Sequence, residues 1–387
     1  MLSVTLLTVG GGFLLLAQHP FVTYPLSLWL IARFRSVPLA PQTTAPEETF
    51  AICLCAYNEE AVIRQKAENL LALRQRTGAL QILIYVDAGS DRTAEILRGY
   101  GDRLTVVEGT ERKGKTHGMN RLVALSNASI LVFTDANVMI EPDAIARLRP
   151  YFADPQIGCV CGHLDYTNRD ANVTAQIGSL YWRTEELIKR LETRTGSVMG
   201  ADGSLFAMRR HLYRHPPDDI IDDMYVSLSA QCEGFRVISA TDVRAFEESV
   251  TNPVEEYRRK IRIGCQGFNV HRLLWPKIRR LGPVSLYKYL SHKFFRWVAI
   301  YDLALSALFI GGGLVAAGHG GWVAWIAAAG VLTAWLGSGP RLWPFVQMVE
   351  VGVALVGTGL GVWRSVRRER FQTWTPAASI RERAPRD

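Results

Sequence analysis

Ile130-Leu-Val-Phe-Thr-Asp135-Ala-Asn137 decides how this chain is read. Ile130, Leu131, Val132 and Phe133 form an unbroken apolar run, the pattern of a strand buried on both faces and hence of a parallel sheet. The run stops at Asp135 and Asn137, two short oxygen-bearing side chains at i and i+2. At the carboxyl end of such a strand both oxygens can converge on one hard divalent cation, which in turn can hold a diphosphate. In isolation a plain polar turn reads the same way, because Asp and Asn also favour turns and caps. The flanking chain has to decide.

Upstream, three more strand-like runs each end in a polar loop and lead into a helix. Phe50–Ala56 is followed by Tyr57-Asn58-Glu59-Glu60 and a helix to about residue 76. Residues 81–86 end in Asp87-Ala88-Gly89-Ser90-Asp91 before a helix over 93–98. Residues 104–107 lead to Glu111-Arg-Lys113-Gly114-Lys115 and a helix through Leu125. Strands alternating with helices of this length imply a parallel, doubly wound sheet. Right-handed crossovers then collect Asn58, Glu59, Asp87, Lys115 and Asp135 on one rim.

Downstream, residues 158–165 resume as a strand and 172–191 as a helix. Gly196-Ser-Val-Met-Gly200-Ala-Asp202-Gly203-Ser204 follows, with glycines that allow close backbone approach. Asp218, Asp219, Asp222 and Asp223 precede a helix expected from about Met224. Acidic residues suit a helix start, but four crowded carboxylates repel one another unless a cation or base chemistry uses them. Residues 253–275 read as a basic helix carrying Arg258, Arg259, Lys260 and Arg262.

The net charge of +8 is concentrated at Arg33 and Arg35 and in residues 258–262, 277–280 and 364–370, beside apolar segments or just after the central region. That placement suits an anionic membrane surface or a phosphate-bearing substrate. No recognition helix or zinc finger supports a nucleic-acid partner. Cys53 and Cys55, and Cys159 and Cys161, lie in apolar strand-like runs and read as buried reduced thiols.

Residues 2–16 are apolar, and apolar character resumes from Tyr24-Pro25 to Ile31. Without a basic leader this reads as a retained anchor, either a single crossing or a Pro-broken hairpin. Residues 285–297 mix Lys, His and Arg with aromatics, as an interfacial amphipathic helix does. Segments 298–317, 320–337 and 343–362 each approach the ~20 residues needed to span a membrane. They carry Asp302 and Glu350, and intramembrane carboxylates are functional candidates. Three full crossings would leave the basic tail, expected to be cytoplasmic, on the wrong side. The expected organisation is an N-terminal membrane anchor (1–35), a linker (36–48), a cytosolic α/β domain (49–275), an interface region (276–297), membrane helices (298–363) and a basic tail (364–387).

The ordered set AYNEE, DAGSDRT, RKGKTHGMN, FTDAN, GADGSLFAMRR, IDD and RRKIRI resembles family-2 glycosyltransferases of the GT-A fold, in particular bacterial membrane-integrated members such as polysaccharide synthases. The resemblance covers roughly residues 50–297. It implies a Rossmann-like, mostly parallel sheet flanked by helices, with transmembrane helices at both ends. It further implies that Ala56, Tyr57, Glu59 and Asp87 hold the uracil-ribose end of a UDP-sugar, with Lys115 and Arg262 near its diphosphate. Asp135, with Asn137 in place of a second Asp, would hold Mg2+ or Mn2+. Gly200, Asp202, Gly203 and Ser204 would form the acceptor floor, and Asp222 and Asp223 the catalytic pair, with Asp223 as general base. The activity implied is hexosyl or N-acetylhexosaminyl transfer at the cytoplasmic face of a bacterial inner membrane, onto a glycan or lipid acceptor. A polymer channel would need a secretion partner or further copies of the chain. Two departures stand out. Ala88 replaces an acid, and the Gln-x-x-Arg-Trp motif of processive synthases reads Arg259-Lys-Ile-Arg262-Ile263. The second puts polymerisation in doubt, while transfer is not. The stretch Phe371-Gln-Thr-Trp374-Thr-Pro376 is placed against the mouth of the site as one reading, and as unstructured tail as the other.

Overall fold

A computed structural model describes residues 1–37, 48–168, 173–376 and 379, with the side chains of 173–181 left aside. The expected linker and the end of the basic tail lie largely outside the described residues.

Eight strands form one sheet: β1 (Phe50–Ala56), β2 (Leu80–Val86), β3 (Thr105–Glu108), β4 (Ile130–Thr134), β5 (Met139–Ile140), β6 (Ile157–Tyr166), β7 (Leu205–Arg209) and β8 (Arg236–Glu247). Their order is β3-β2-β1-β4-β7-β6-β8-β5. β1 to β4 pair in parallel, as do β6 and β8. β7 runs antiparallel to both β4 and β6, and β5 antiparallel to β8, so the sheet is mixed. β7 reverses because it begins at the rim, directly after the Gly200–Ser204 turn, and runs away from it. Both neighbours of β7 are antiparallel to it, so β6, and β8 with it, run in the sense of β4. Tyr166 and Glu247 therefore end on the same rim as Asp135.

Both faces of the sheet are buried, which is why its strands read as unbroken apolar runs. On one face Ile52, Leu54 and Val132 pack against Ile63, Ala67, Leu70 and Leu73 of the helix Ile63–Thr77. On the other, Cys53, Cys55, Cys159, Cys161 and Phe133 pack against Met119 and Leu122 of the helix Lys115–Leu125 and Val226 of the helix Asp222–Cys232. Each buried Ile or Leu contributes about 1.5–3 kcal/mol. All six cysteines are unpaired, and five are buried.

The ends of the chain join this domain through helices. Leu2–Gln18 and Thr23–Phe34 are bent by 65°. The first packs along the helix Phe295–Ala316, where Ser306 Oγ donates to Gly10 O at 2.9 Å. The second docks Tyr24, Leu28 and Ala32 on Ile188 and Leu191 of the helix Val173–Arg194. The N-terminal segment is thus a broken pair, one arm among the apolar helices and the other on the domain.

The helix Pro253–Ile278 is capped by Asn252, whose side chain accepts from Val254 N at 2.9 Å. The amphipathic segment expected at 285–297 is not a separate helix. Pro283–Tyr289 continues through a π-turn, Leu290–Phe294, into Phe295–Ala316. Among the described residues three helical runs, Pro283–Ala316, Gly320–Ser338 and Phe345–Val366, are long and apolar enough to cross a membrane.

The π-turn carries the buried junction between membrane helices and domain. His292 places Nδ1 2.9 Å from Glu192 Oε1 and Nε2 2.9 Å from Glu185 Oε1. Glu192 also accepts from Tyr24 Oη at 2.5 Å and from Met199 N at 3.1 Å. One carboxylate thus ties together the N-terminal arm, the π-turn and the loop that forms the floor of the site. Glu192→Ala strands three buried partners, and we expect a loss of roughly 3 kcal/mol of stability, read as a drop in Tm.

Candidate active site

The rim loops bring together most of the residues that the sequence singled out. β1 ends at buried Ala56, and Tyr57 and Asn58 follow. Ala88, in the next rim loop, holds φ at 49°, backbone that a residue with a Cβ rarely adopts and that collects at functional sites. Asp87 is fully buried, and its two oxygens accept from Lys113 N at 2.8 Å and Gly114 N at 2.9 Å. Asp87 therefore shapes the Arg112–Gly114 loop with both oxygens. Glu59 is buried, and its backbone N–H is held by Thr93 Oγ1 at 2.8 Å.

Beyond that loop, Lys115 Nζ lies 2.6 Å from Asp135 Oδ1. A Cβ placed on Gly203 would stand 3.0 Å from Asp223 Oδ2, 3.1 Å from Lys115 Nζ and 3.7 Å from Asp135 Oδ2. Lysine, acid and acid therefore meet around a glycine that leaves room for them. Burial works against the Lys115 ammonium, but Asp135, Asp222 and Asp223 outweigh it and hold its proton more tightly than usual.

Asp223 Oδ1 accepts from Met224 N at 2.5 Å, so Oδ2 is the oxygen turned to the mouth. Burial, and then the neighbouring Asp222 charge, push the Asp223 carboxyl up to about 7. That value suits a base working near neutrality. Asp222 is buried, with one oxygen unpartnered among the described residues. The four-acid cluster seen in sequence divides: Asp218 pairs with His117 at 2.8 Å, and Asp219 with Arg370 at 3.5 Å. Arg262 feels both Asp135 and Asp223 and has no ion-pair partner among the described residues. On the floor, Asp202 pairs with Lys189 at 2.9 Å and accepts from Ser204, while Gly200 takes φ +94° beside Met224.

Asn137 turns its amide nitrogen to Glu247 Oε1 at 2.8 Å. The donor set for a cation is thus Asp135, with the Asn137 carbonyl oxygen remaining. Among the described residues no group of three His, Cys, Asp or Glu could hold a metal.

Several residues escaped the sequence reading. Lys66, fully buried on the helix Ile63–Thr77, donates to Thr134 Oγ1 at 3.1 Å and to Val138 O, bracing both sides of the Asp135 turn. Burial pushes its amine down to about 7. Asn69, three residues on, exchanges hydrogen bonds with Ile140 in the same loop.

The tail is seated on the site. Gln266 Nε2 donates to Phe371 O at 2.7 Å, Gln372 Nε2 to Lys113 O at 3.1 Å, and Arg112 to Trp374 O. The Trp374 ring lies 6.0 Å from that of Tyr57, whose face carries the Arg112 guanidinium at 3.6 Å. Gly114, at φ +91°, has the Gln372 carbonyl against its Cα, where a side chain could not fit. The tail thus orders the Arg112–Gly114 loop on the rim. We expect Trp374→Ala to loosen the Arg112–Gly114 loop, because it removes the ring packed against Tyr57 and keeps only the residue-374 carbonyl that Arg112 donates to; faster amide hydrogen exchange over residues 112–114 reads the effect.

The family model described as "Glycosyltransferase like family 2" matches residues 46–298, and the chain belongs to that family. Among curated relatives, an N-acetylglucosaminyltransferase of Rhizobium meliloti is 23% identical over 64% of this chain and 62% of its own length. One from Rhizobium leguminosarum bv. viciae is 23% identical over 52% of this chain and 51% of its own length. The chain therefore spans about half to two thirds of these relatives. A beta-monoglucosyldiacylglycerol synthase of Trichormus variabilis is 22% identical over 84% of this chain and 67% of its own length. Among solved structures, a mannosyltransferase from Pyrobaculum calidifontis in complex with GDP-Man and Mn2+ superposes with a TM-score of 0.70 at 20% identity, covering 92% of this chain and 99% of that one.

Proposed function

We propose that the chain is a membrane-bound inverting glycosyltransferase that moves a hexosyl or N-acetylhexosaminyl group from a nucleotide-sugar, UDP-sugars being the first candidates. The acceptor is a hydroxyl of a growing polysaccharide or of a lipid-linked or lipid molecule. The observation that carries this is the meeting of Lys115, Asp135 and Asp223 Oδ2 around Gly203.

Asp223 Oδ2 takes the proton of the acceptor hydroxyl as its oxygen attacks the anomeric carbon. Attack from the face opposite the diphosphate inverts an α-linked donor to a β-product. Lys115 and Arg262 stabilise the charge that grows on the departing nucleoside diphosphate. Asp135, with the Asn137 carbonyl oxygen, would hold Mg2+ or Mn2+, which supplies further positive charge to that diphosphate. Tyr57, Arg112 and Trp374 frame the base end.

The membrane reading rests on the three apolar helices and the basic segments beside them. Because the tail after Phe345–Val366 is seated on the catalytic domain, that helix ends on the catalytic side. Pro283–Ala316 and Phe345–Val366 then make the full crossings, and Gly320–Ser338 begins and ends on the far face. The basic segments beside these helices support a cytoplasmic catalytic domain and tail at a bacterial inner membrane.

A single transfer to a lipid is supported by Ile263, which stands where processive synthases carry Trp. Purified full chain, incubated with labelled nucleotide-sugars and membrane lipids, separates the two forms by product size. Long product supports a synthase, and one added sugar a lipid transferase.

A further inference from the structure

Position 137 is where the resemblance places a second acid, and this chain has Asn there. A carboxylate nevertheless stands one hydrogen bond away. Glu247, the last residue of β8, accepts from Asn137 Nδ2 at 2.8 Å. The sheet fixes that meeting. Tyr166 and Glu247 share a register position in the parallel β6–β8 pair, and Met139 faces Phe246 across the antiparallel β5–β8 pair. Thr167 N also donates to Glu247 O at 3.0 Å, which pins the backbone where β8 ends.

The turn that carries Asn137 has little freedom of its own. Val138 N donates to Asp135 O at 3.3 Å, and Lys66 donates from beneath to Thr134 Oγ1 at 3.1 Å and to Val138 O. What remains is the rotation of the Asn137 amide, a torsion with a broad, roughly two-fold profile. An ionised carboxylate accepts hydrogen bonds and cannot donate them, so the amide nitrogen must face Glu247. The Asn137 carbonyl oxygen is then the atom left for the site. Asp135 divides in the same way. Its Oδ1 is taken by Lys115 at 2.6 Å, while Oδ2 lies 3.7 Å from where a Gly203 Cβ would stand.

We propose that Glu247 is a positioning residue of the donor site, which turns the Asn137 carbonyl oxygen toward a divalent cation beside Asp135 and supplies the negative charge that position 137 lacks. The assignment rests on the nucleotide-sugar reading above. Outer carboxylates that orient a metal ligand in this way are worth about tenfold to a hundredfold in metal affinity. The charge itself adds attraction across one intervening amide. Arg259 also feels the Glu247 charge, behind its 2.7 Å partner Glu256, so a variant that keeps the total charge here is the cleaner test.

The test measures how far Mn2+ tightens the binding of UDP, with GDP as second probe, to the full chain in lipid nanodiscs. Each nucleotide is titrated in EDTA and again in saturating Mn2+. We expect the wild type to bind at least about tenfold more tightly with Mn2+, and Glu247→Ala to lose most of that gain with its affinity in EDTA unchanged. The reversed pair, Asn137→Asp with Glu247→Gln, keeps the total charge beside Arg259 and remakes the hydrogen bond with donor and acceptor exchanged. It should recover the wild-type gain or exceed it, because the carboxylate now faces the cation directly. A full Mn2+ gain in Glu247→Ala overturns the assignment. So does a reversed pair no better than Glu247→Ala, the result expected of a carboxylate that only secures the end of β8. Wild-type binding that ignores Mn2+, or no binding of either nucleotide, instead overturns the donor-site reading on which the assignment rests.

Discussion

Asp223→Asn should retain nucleotide binding and lose transfer by roughly a thousandfold, the share that a positioned general base supplies. The substitution keeps the volume of the side chain and its contact with Met224 N while removing the proton acceptor at Oδ2. Its pH dependence is equally specific. With the carboxyl pushed up to about 7, the wild-type rate should climb about tenfold per pH unit on the acid side and level off above neutrality. Asp223→Asn should show no such limb. The stability effect has the opposite sign to the activity effect. A carboxyl whose folded pKa is raised from 3.8 to about 7 costs the fold stability progressively as pH rises through that interval. Asp223→Asn should therefore unfold at a higher Tm than the wild type at pH 8 and show no gain near pH 4. Near-normal turnover by this variant would sink the base assignment.

Asp135→Ala should be nearly as damaging, by a hundredfold or more in kcat/KM. It removes the carboxylate proposed to hold a cation and also frees Lys115 Nζ from its 2.6 Å partner. The two losses can be separated by titrating Mn2+ against binding of a nucleoside diphosphate. In the wild type, Mn2+ should tighten nucleotide binding, and in Asp135→Ala it should have little effect. If Mn2+ tightens binding equally in both, the cation is held elsewhere and Asp135 serves chiefly to orient Lys115.

Much of this was legible because the strands are buried on both faces. Ile52, Leu54, Val132 and Phe133 leave no polar alternation, and that pattern alone implied parallel strands under helices. The rim followed from connection rules, which set Lys115 beside Asp135; that Asp223 joins them around Gly203 was implied only by the family resemblance. The reversed β7 was not legible, since five residues carry no mark of direction. Neither were the contacts made across long separations. Asn137 finds Glu247 110 residues away, and Arg112 finds the Trp374 carbonyl across 262. Lys66 read as an ordinary helix lysine, because nothing nearby in sequence shows that its ammonium ends under the Asp135 turn. The interface helix was misdivided for a related reason: its aromatic and basic residues do favour an interface, but the π-turn lets the helix run on rather than stop.

We propose that this site transfers a sugar from a nucleotide-sugar with Asp223 as base. The most direct measurement supplies full-length wild type and Asp223→Asn, in lipid nanodiscs with Mn2+, with a panel of labelled nucleotide-sugars and membrane lipids, and follows nucleoside diphosphate release together with label in product. On that proposal the wild type releases diphosphate in step with labelled product for at least one donor, and Asp223→Asn binds that nucleotide and does neither. Binding without transfer by the wild type, or transfer preserved in the variant, would contradict it.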